Sequence, residues 1–263
     1  MKNRLFILFV PLALLLGCQS DKDSSKAEST DSSAMMEKGE EWLQKAITAH
    51  GSEALKNAEV EFDFRGKDFF IKRDGHNYYY QRQYVDSSGV RVIDQVWPDS
   101  TFRTLDAERQ LLTEKKANAI SESIHSVVYF ALLPEALQDP AVQAKYVDET
   151  AVNDEPYHRI RVSFAEENGG ADYQDEYMYW IHDTEHTMDY LAYNFEVNGG
   201  GARFRASIKD TVVAGVRFQD YNNYKPVSDR KALLGLDSLY EAGKLELLSK
   251  IELNALEIAL VKG

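Results

Sequence analysis

Cysteine is all but missing from this chain: Cys18 is the only one in 263 residues. That excludes an intramolecular disulfide, a CxxC redox pair and a thiolate metal site in the folded region. Positive charge is scarce too. Lys and Arg total 30 against 43 Asp and Glu, a formal net charge of −13. A nucleic-acid partner, which requires clustered cations against phosphate, is therefore not expected. No apolar run reaches the roughly 20 residues of a bilayer-spanning helix; the one at residues 5–16 stops short and contains Pro11. The G-x-S-x-G elbow of serine esterases is absent, and Gly199-Gly200-Gly201 lacks the Gly-Lys-Ser/Thr continuation of a phosphate loop.

What is present at the N-terminus has the layout of a secretory signal. Lys2 and Arg4 precede the apolar run, which ends in Leu15-Leu16-Gly17-Cys18. These four residues resemble the lipobox of bacterial lipoproteins. The resemblance implies cleavage before Cys18 and lipidation of its thiol, so the expected partner of the chain is a membrane, held through acyl chains such as palmitate on Cys18. More than one chain makes that anchor firm, at about 0.8 kcal/mol per buried CH₂. Residues 1–17 then read as a signal peptide. Residues 18–35, rich in Ser, Asp, Glu and Lys, read as a disordered tether. Gln19-Ser20-Asp21-Lys22-Asp23 is similar to the acidic export signal of Bacteroidota surface lipoproteins, which implies an outer-membrane protein that faces outward, with a periplasmic orientation as the alternative.

Residues 36–263 read as one domain, α+β and mainly β. Met36, Gly39, Trp42, Leu43, Ala46 and Ile47 recur at helical spacing, with Gly51 placed as a C-cap. Val60, Phe62 and Phe64 then alternate with polar residues, a strand with one wet face. Asp74-Gly75 and Asp86-Ser87-Ser88-Gly89 separate further strands at 69–73, 78–85 and 90–97. A second helix is expected over 114–133, with Ile120, Ile124, Val127/Val128 and Ala131 on one stripe and Pro134 as its stop. Strands return at 145–150, 157–164, 176–182, 187–196, 202–208 and 212–218, with Asp210-Thr211 as a turn. A helix over 233–242 precedes a long strand, 245–261, whose inward set slips by one residue as if at a bulge. The total is about ten antiparallel strands.

Two long stretches carry a family resemblance: EEWLQKAITAHGSEALKNAEVEFDFRGKDFFIKRDG, and YMYWIHDTEHTMDYLAYNF followed by GVRFQDYNNYKP. They resemble a family of Bacteroidota lipoproteins of unknown function and, more distantly, the lipoprotein-sorting, outer-membrane lipoprotein carrier-like domains. The resemblance implies a strongly curved antiparallel sheet, an unclosed half-barrel, with helices on its concave face and an apolar cavity between. Relatives with that fold bind acyl chains or other lipids. No catalytic residue comes with it.

Aromatic residues are plentiful, with 15 Tyr, 12 Phe and 3 Trp. The 177–182 and 187–196 strands are apolar on both faces, so neither face can be left in water. Val127, Phe130, Tyr177, Tyr179, Trp180, Tyr190 and Tyr193 are the candidate lining of a ligand cavity. Plain core is the competing reading for each. Arg203 and Arg205 share a strand face and suit an anionic head group or a cross-strand partner such as Glu196. His182-Asp183-Thr184-Glu185-His186 matches H-x-x-E-H as a string. That metal chemistry needs a helix, and the flanks read as strands around a turn. The acidic cluster at Glu166, Glu167, Asp172, Asp175 and Glu176 does not fit a calcium loop and reads as surface. The expectation is therefore a monomeric, non-catalytic protein that holds an apolar or amphipathic ligand, with no cofactor and no metal. The alternatives are a structural or protein-interaction module with a filled concavity and, remotely, a metal-dependent hydrolase at His182 and His186.

Overall fold

The computed structural model describes residues 22–75, 77–165, 175–196, 199–227 and 232–260. Cys18 and most of the acidic 166–176 cluster lie outside them. The chain divides into two compact units, residues 1–34 and 35–263. Helix α1, Lys22–Ala49, starts in the first and enters the second. It begins inside the stretch read as a tether; residues 22–38 contain no Gly or Pro, and their Ala, Glu, Lys and Met tolerate a helix. All that follows concerns the second unit.

Its fourteen strands form two seven-stranded sheets, antiparallel throughout. The first sheet comes from consecutive hairpins: β1 (Ala58–Asp63), β2 (Asp68–Asp74), β3 (Asn77–Val85), β4 (Arg91–Trp97), β5 (Ser100–Leu105) and the short β6 (Glu108–Arg109). After helix α2 (Glu114–Ala131) the second sheet runs as β7 (Val142–Val152), β8 (Glu155–Phe164), β9 (Tyr177–His182), β10 (Met188–Phe195), β11 (Gly201–Val213), β12 (Val216–Pro226) and, beyond the short helix α3 (Leu236–Glu241), β13 (Leu245–Ile251). The last strand, β14 (Asn254–Leu260), leaves β13 and pairs with β1 in the first sheet. The result is an unclosed half-barrel.

Two sequence expectations change here. The apparent one-residue slip within 245–261 is not a bulge in one strand. It is the crossing between sheets at Glu252-Leu253, which resets the inward parity because β13 pairs with β12 and β14 with β1. The turn expected at Asp210-Thr211 falls instead at Ala214-Gly215, with φ of 50° and 82°. Both residues adopt the left-handed conformation of a tight hairpin, and β11 runs through Asp210.

Three apolar layers hold the unit together. On the concave side Ile120, Ile124 and Val128 of α2 pack on Val60, Ile71, Tyr80 and Val96 of the first sheet. Trp42, Leu43 and Ala46 of α1 pack on Ala144, Ile160, Val162, Tyr179 and Leu191 of the second. The opposite face of the second sheet is covered by Leu233, Leu236 and Leu239, which explains why β9 and β10 are apolar on both sides. Alternation assigns β9 correctly: Tyr177, Tyr179 and Ile181 face α1, and Met178 and Trp180 face α3. In β10 the register shifts between Met188 and Tyr190, so Met188 joins the same face as Leu191 and Tyr193.

Gly39 brings α1 close to β7. A Cβ there would sit 2.8 Å from the Ala144 carbonyl oxygen and 2.8 Å from the Tyr146 nitrogen, both backbone atoms that cannot swing aside. In an exposed helix Gly→Ala adds roughly 1 kcal/mol of stability. Here the sign is expected to reverse: Gly39→Ala should lower the unfolding free energy by about 1–3 kcal/mol through overpacking. A urea midpoint equal to or above that of the wild type would show that the helix stands off the sheet.

Candidate functional site

The second half of helix α2 is apolar on most sides because it meets three different surroundings. One stripe, Ile120, Ile124 and Val128, enters the first sheet's core. Tyr129 turns toward the second sheet, where its hydroxyl meets that of Tyr179 at 2.7 Å. Burial pushes both phenols well up from their ordinary range. The third stripe, Ser123, Ser126, Val127, Phe130 and Ala131, faces open space.

That space is a cavity of about 350 Å³ between α2 and the sheet wall, within the size range of small-molecule sites. Tyr193 of β10, Arg205 of β11 and Gln219, Tyr221 and Asn223 of β12 form its wall. Ile251 and Leu253 line it where the chain crosses between sheets, and Phe64 and Arg65 close it beyond β1. Arg205 is only 7% exposed. Its guanidinium lies 3.8 Å from the Phe130 ring centre and 5.4 Å from that of Tyr193, and it donates to the Tyr193 hydroxyl at 3.3 Å. Among the described residues, two arginines and no carboxylate line this cavity.

Of the seven sequence candidates, the structure brings Val127, Phe130 and Tyr193 together at the cavity. Tyr177 and Tyr179 sit behind it, stacked in the core at 6.3 Å. Trp180 and Tyr190 lie on the other face of the sheet. There the Trp180 indole donates to Asp237 of α3 at 3.1 Å, and Tyr190 stacks on Phe204. A strand apolar on both faces carries no mark in its sequence of which side is hollow. Arg205 pairs across the ladder with Leu191 and Arg203 with Tyr193, so neither stands opposite Glu196.

The H-x-x-E-H string forms the β9–β10 connection, with Asp183, Thr184 and Glu185 in the turn. The Nδ1 of His182 accepts from the backbone N–H groups of Thr184 and Glu185 at 3.3 and 3.1 Å. That nitrogen is engaged in holding the turn. Asp183 accepts from His158 Nε2 at 2.7 Å, and His158 stacks on Trp42 of α1 at 3.6 Å. The hydrogen bond from His158 holds the Asp183 carboxyl below its usual range. The i, i+4 helical placement that would set both imidazoles against one ion is not formed here. Among the described residues no group of three or more His, Cys, Asp or Glu is placed to hold a metal ion.

A second site was not apparent from local sequence. Asp94, fully buried on β4, accepts from Arg82 on β3 and Arg103 on β5 at 2.6–3.2 Å. All three are direct ladder partners. Arg82 also donates to Ser123 of α2 at 2.9 Å, which ties the triad to the cavity wall. The signal was an Asp between Val92 and Val96 at inward parity, and it becomes readable only once the strands are registered.

A curved, unclosed antiparallel sheet with a helix set over an amphipathic cavity defines the class of protein. The chain belongs to a family of unknown function, DUF6503, whose sequence pattern matches residues 3–253. No curated protein matches it. Solved structures with some similarity include a DUF1329 family protein from Desulfovibrio piger, 11% identical, with a TM-score of 0.43 over 79% of this chain and 99% of that one. Another is described as an outer-membrane lipoprotein-sorting domain from Vibrio parahaemolyticus, 9% identical, TM-score 0.42, covering 72% of this chain and 86% of its own. A third is a LolA superfamily protein from Nitrosomonas europaea, 7% identical, TM-score 0.41, covering 81% and 91%. Likenesses this loose carry no inference about function.

Proposed function

We propose that this protein is a non-catalytic envelope lipoprotein, anchored in the outer membrane through acyl chains on Cys18 and facing outward, whose half-barrel holds an apolar or amphipathic ligand. The observation that carries the ligand reading is the 350 Å³ cavity, where Val127, Phe130 and Tyr193 leave apolar surface uncovered between α2 and the sheet. The anchor rests on Leu15-Leu16-Gly17-Cys18 and the run before it. A fixed anchor makes the protein a stationary receptor or acceptor, not a shuttle.

The test uses the full chain with Cys18→Ser. The wild type is expected in the membrane pellet and the variant in the soluble fraction, since the thiol that carries the acyl chains is gone. The soluble variant, purified without detergent, is expected to show a bound lipid-sized mass by native mass spectrometry, or to take up an apolar dye. Neither a bound mass nor dye uptake would leave the concavity as a filled structural module.

A further inference from the structure

Among the described residues, the other strongly buried arginines meet carboxylates. Arg82 meets Asp94, Arg159 meets Asp148 and Asp237, and Arg73 meets Glu135. Arg205 does not. It is 7% exposed, its Nε–H has no partner, and among the described residues it contacts the Tyr193 hydroxyl and the faces of Phe130 and Tyr193. An uncompensated buried charge is costly, and it is tolerated where a ligand supplies the counter-charge.

The cavity around it agrees. In a chain of formal net charge −13, its charged residues among those described are Arg205 at the wall and Arg65 beyond β1, with no Asp or Glu. Ser126, Gln219 and Asn223 add neutral polar groups, and the remaining wall is aromatic or aliphatic. We infer that the cavity selects an oxyanion-headed amphiphile: an apolar body ending in a carboxylate or phosphate that Arg205 holds. A guanidinium matches either head with paired N–H donors, and Phe130 stacked on its face fixes its plane. This deepens the ligand reading above and rests on it.

Calorimetric titration of the full Cys18→Ser chain with decanoate, decyl phosphate, decanol and inorganic phosphate tests it. Decanoate or decyl phosphate is expected to bind roughly tenfold or more tightly than decanol, as a charge-assisted contact gives. Arg205→Met is expected to bring the anions to the level of decanol and to leave decanol unchanged. If that variant does not fold, the wild-type ranking decides by itself. Equal affinity for decanol and both anions overturns the head-group inference and leaves the apolar-ligand reading standing. Inorganic phosphate bound as tightly as decyl phosphate also overturns it, since the site would then be one for a free anion. No binding of any member removes both readings.

Discussion

Asp94→Ala is expected to lower the unfolding free energy by about 3–5 kcal/mol, the cost of breaking a buried ionic group by removing one partner. Asp94 is 0% exposed and answers two guanidinium groups at once, Arg82 and Arg103. Its loss leaves two like charges facing each other across β4, with Arg82 itself only 7% exposed. The damage should not stay local, because Arg82 also holds Ser123 and through it the cavity side of α2. Urea unfolding measures the loss. Replacing all three residues together, Arg82→Met, Asp94→Leu and Arg103→Met, should recover most of it, since a well-packed apolar set often equals a buried ionic one. A loss under about 1 kcal/mol, the range of exposed pairs, would show that the triad is solvated.

The second large effect is acid sensitivity through His50. This residue follows α1 directly, is fully buried, and accepts the Met188 backbone N–H on Nε2 at 3.0 Å. Only a neutral imidazole can accept there. Burial, followed by the nearby Arg217 charge, lowers its pKa from 6.5 to about 4. The unfolded chain therefore binds a proton between pH 6.5 and about 4 that the folded chain refuses. Stability from this group is complete above pH 6.5 and falls as the pH drops toward 4, by on the order of 3 kcal/mol in all. His50→Gln should cost stability at pH 7 and remove that slope, so the gap between variant and wild type should narrow on acidification. Parallel stability curves for the two from pH 7 to pH 4 would exclude the assignment.

Much of the architecture could be read from the residues because local chemistry and tertiary packing agree there. Trp42, Leu43 and Ala46, then Ile120, Ile124 and Val128, repeat at helical spacing and are the residues the helices bury. Asp74-Gly75 and Asp86–Gly89 are turn formers where hairpins turn. The failures have physical causes. Ala214 is not a typical turn residue, so the β11–β12 hairpin is hidden behind the more turn-like Asp210-Thr211. The crossing at Glu252-Leu253 looks like a bulge because both change parity by one. Trp180 and Tyr190 are as apolar as true cavity residues, and only the placement of α3 removes them. Of the cavity itself, Val127, Phe130 and Tyr193 were legible. Ser123, Tyr221 and Ile251 belong to elements distant in sequence, and no local pattern joins them. His50 and Asp94 matter through partners 138 and 12 residues away, and spacing gives no sign of either pair.

The crossing of the final strand has a consequence for how the protein is made. Ala58 on β1 pairs with Leu260 on β14, and Val60 with Ile258, so the first sheet cannot gain its last strand until residues 254–260 are available. A chain that emerges N-terminus first presents β1 with one edge open while all the later hairpins arrive. Ile251 and Leu253, the residues that flank the crossing, also line the cavity. Contacts of such long sequence separation form late and slowly. The cavity is therefore completed late, and a polypeptide stalled before β14 would hold a first sheet that lacks its edge strand on β1, with the cavity open along that side.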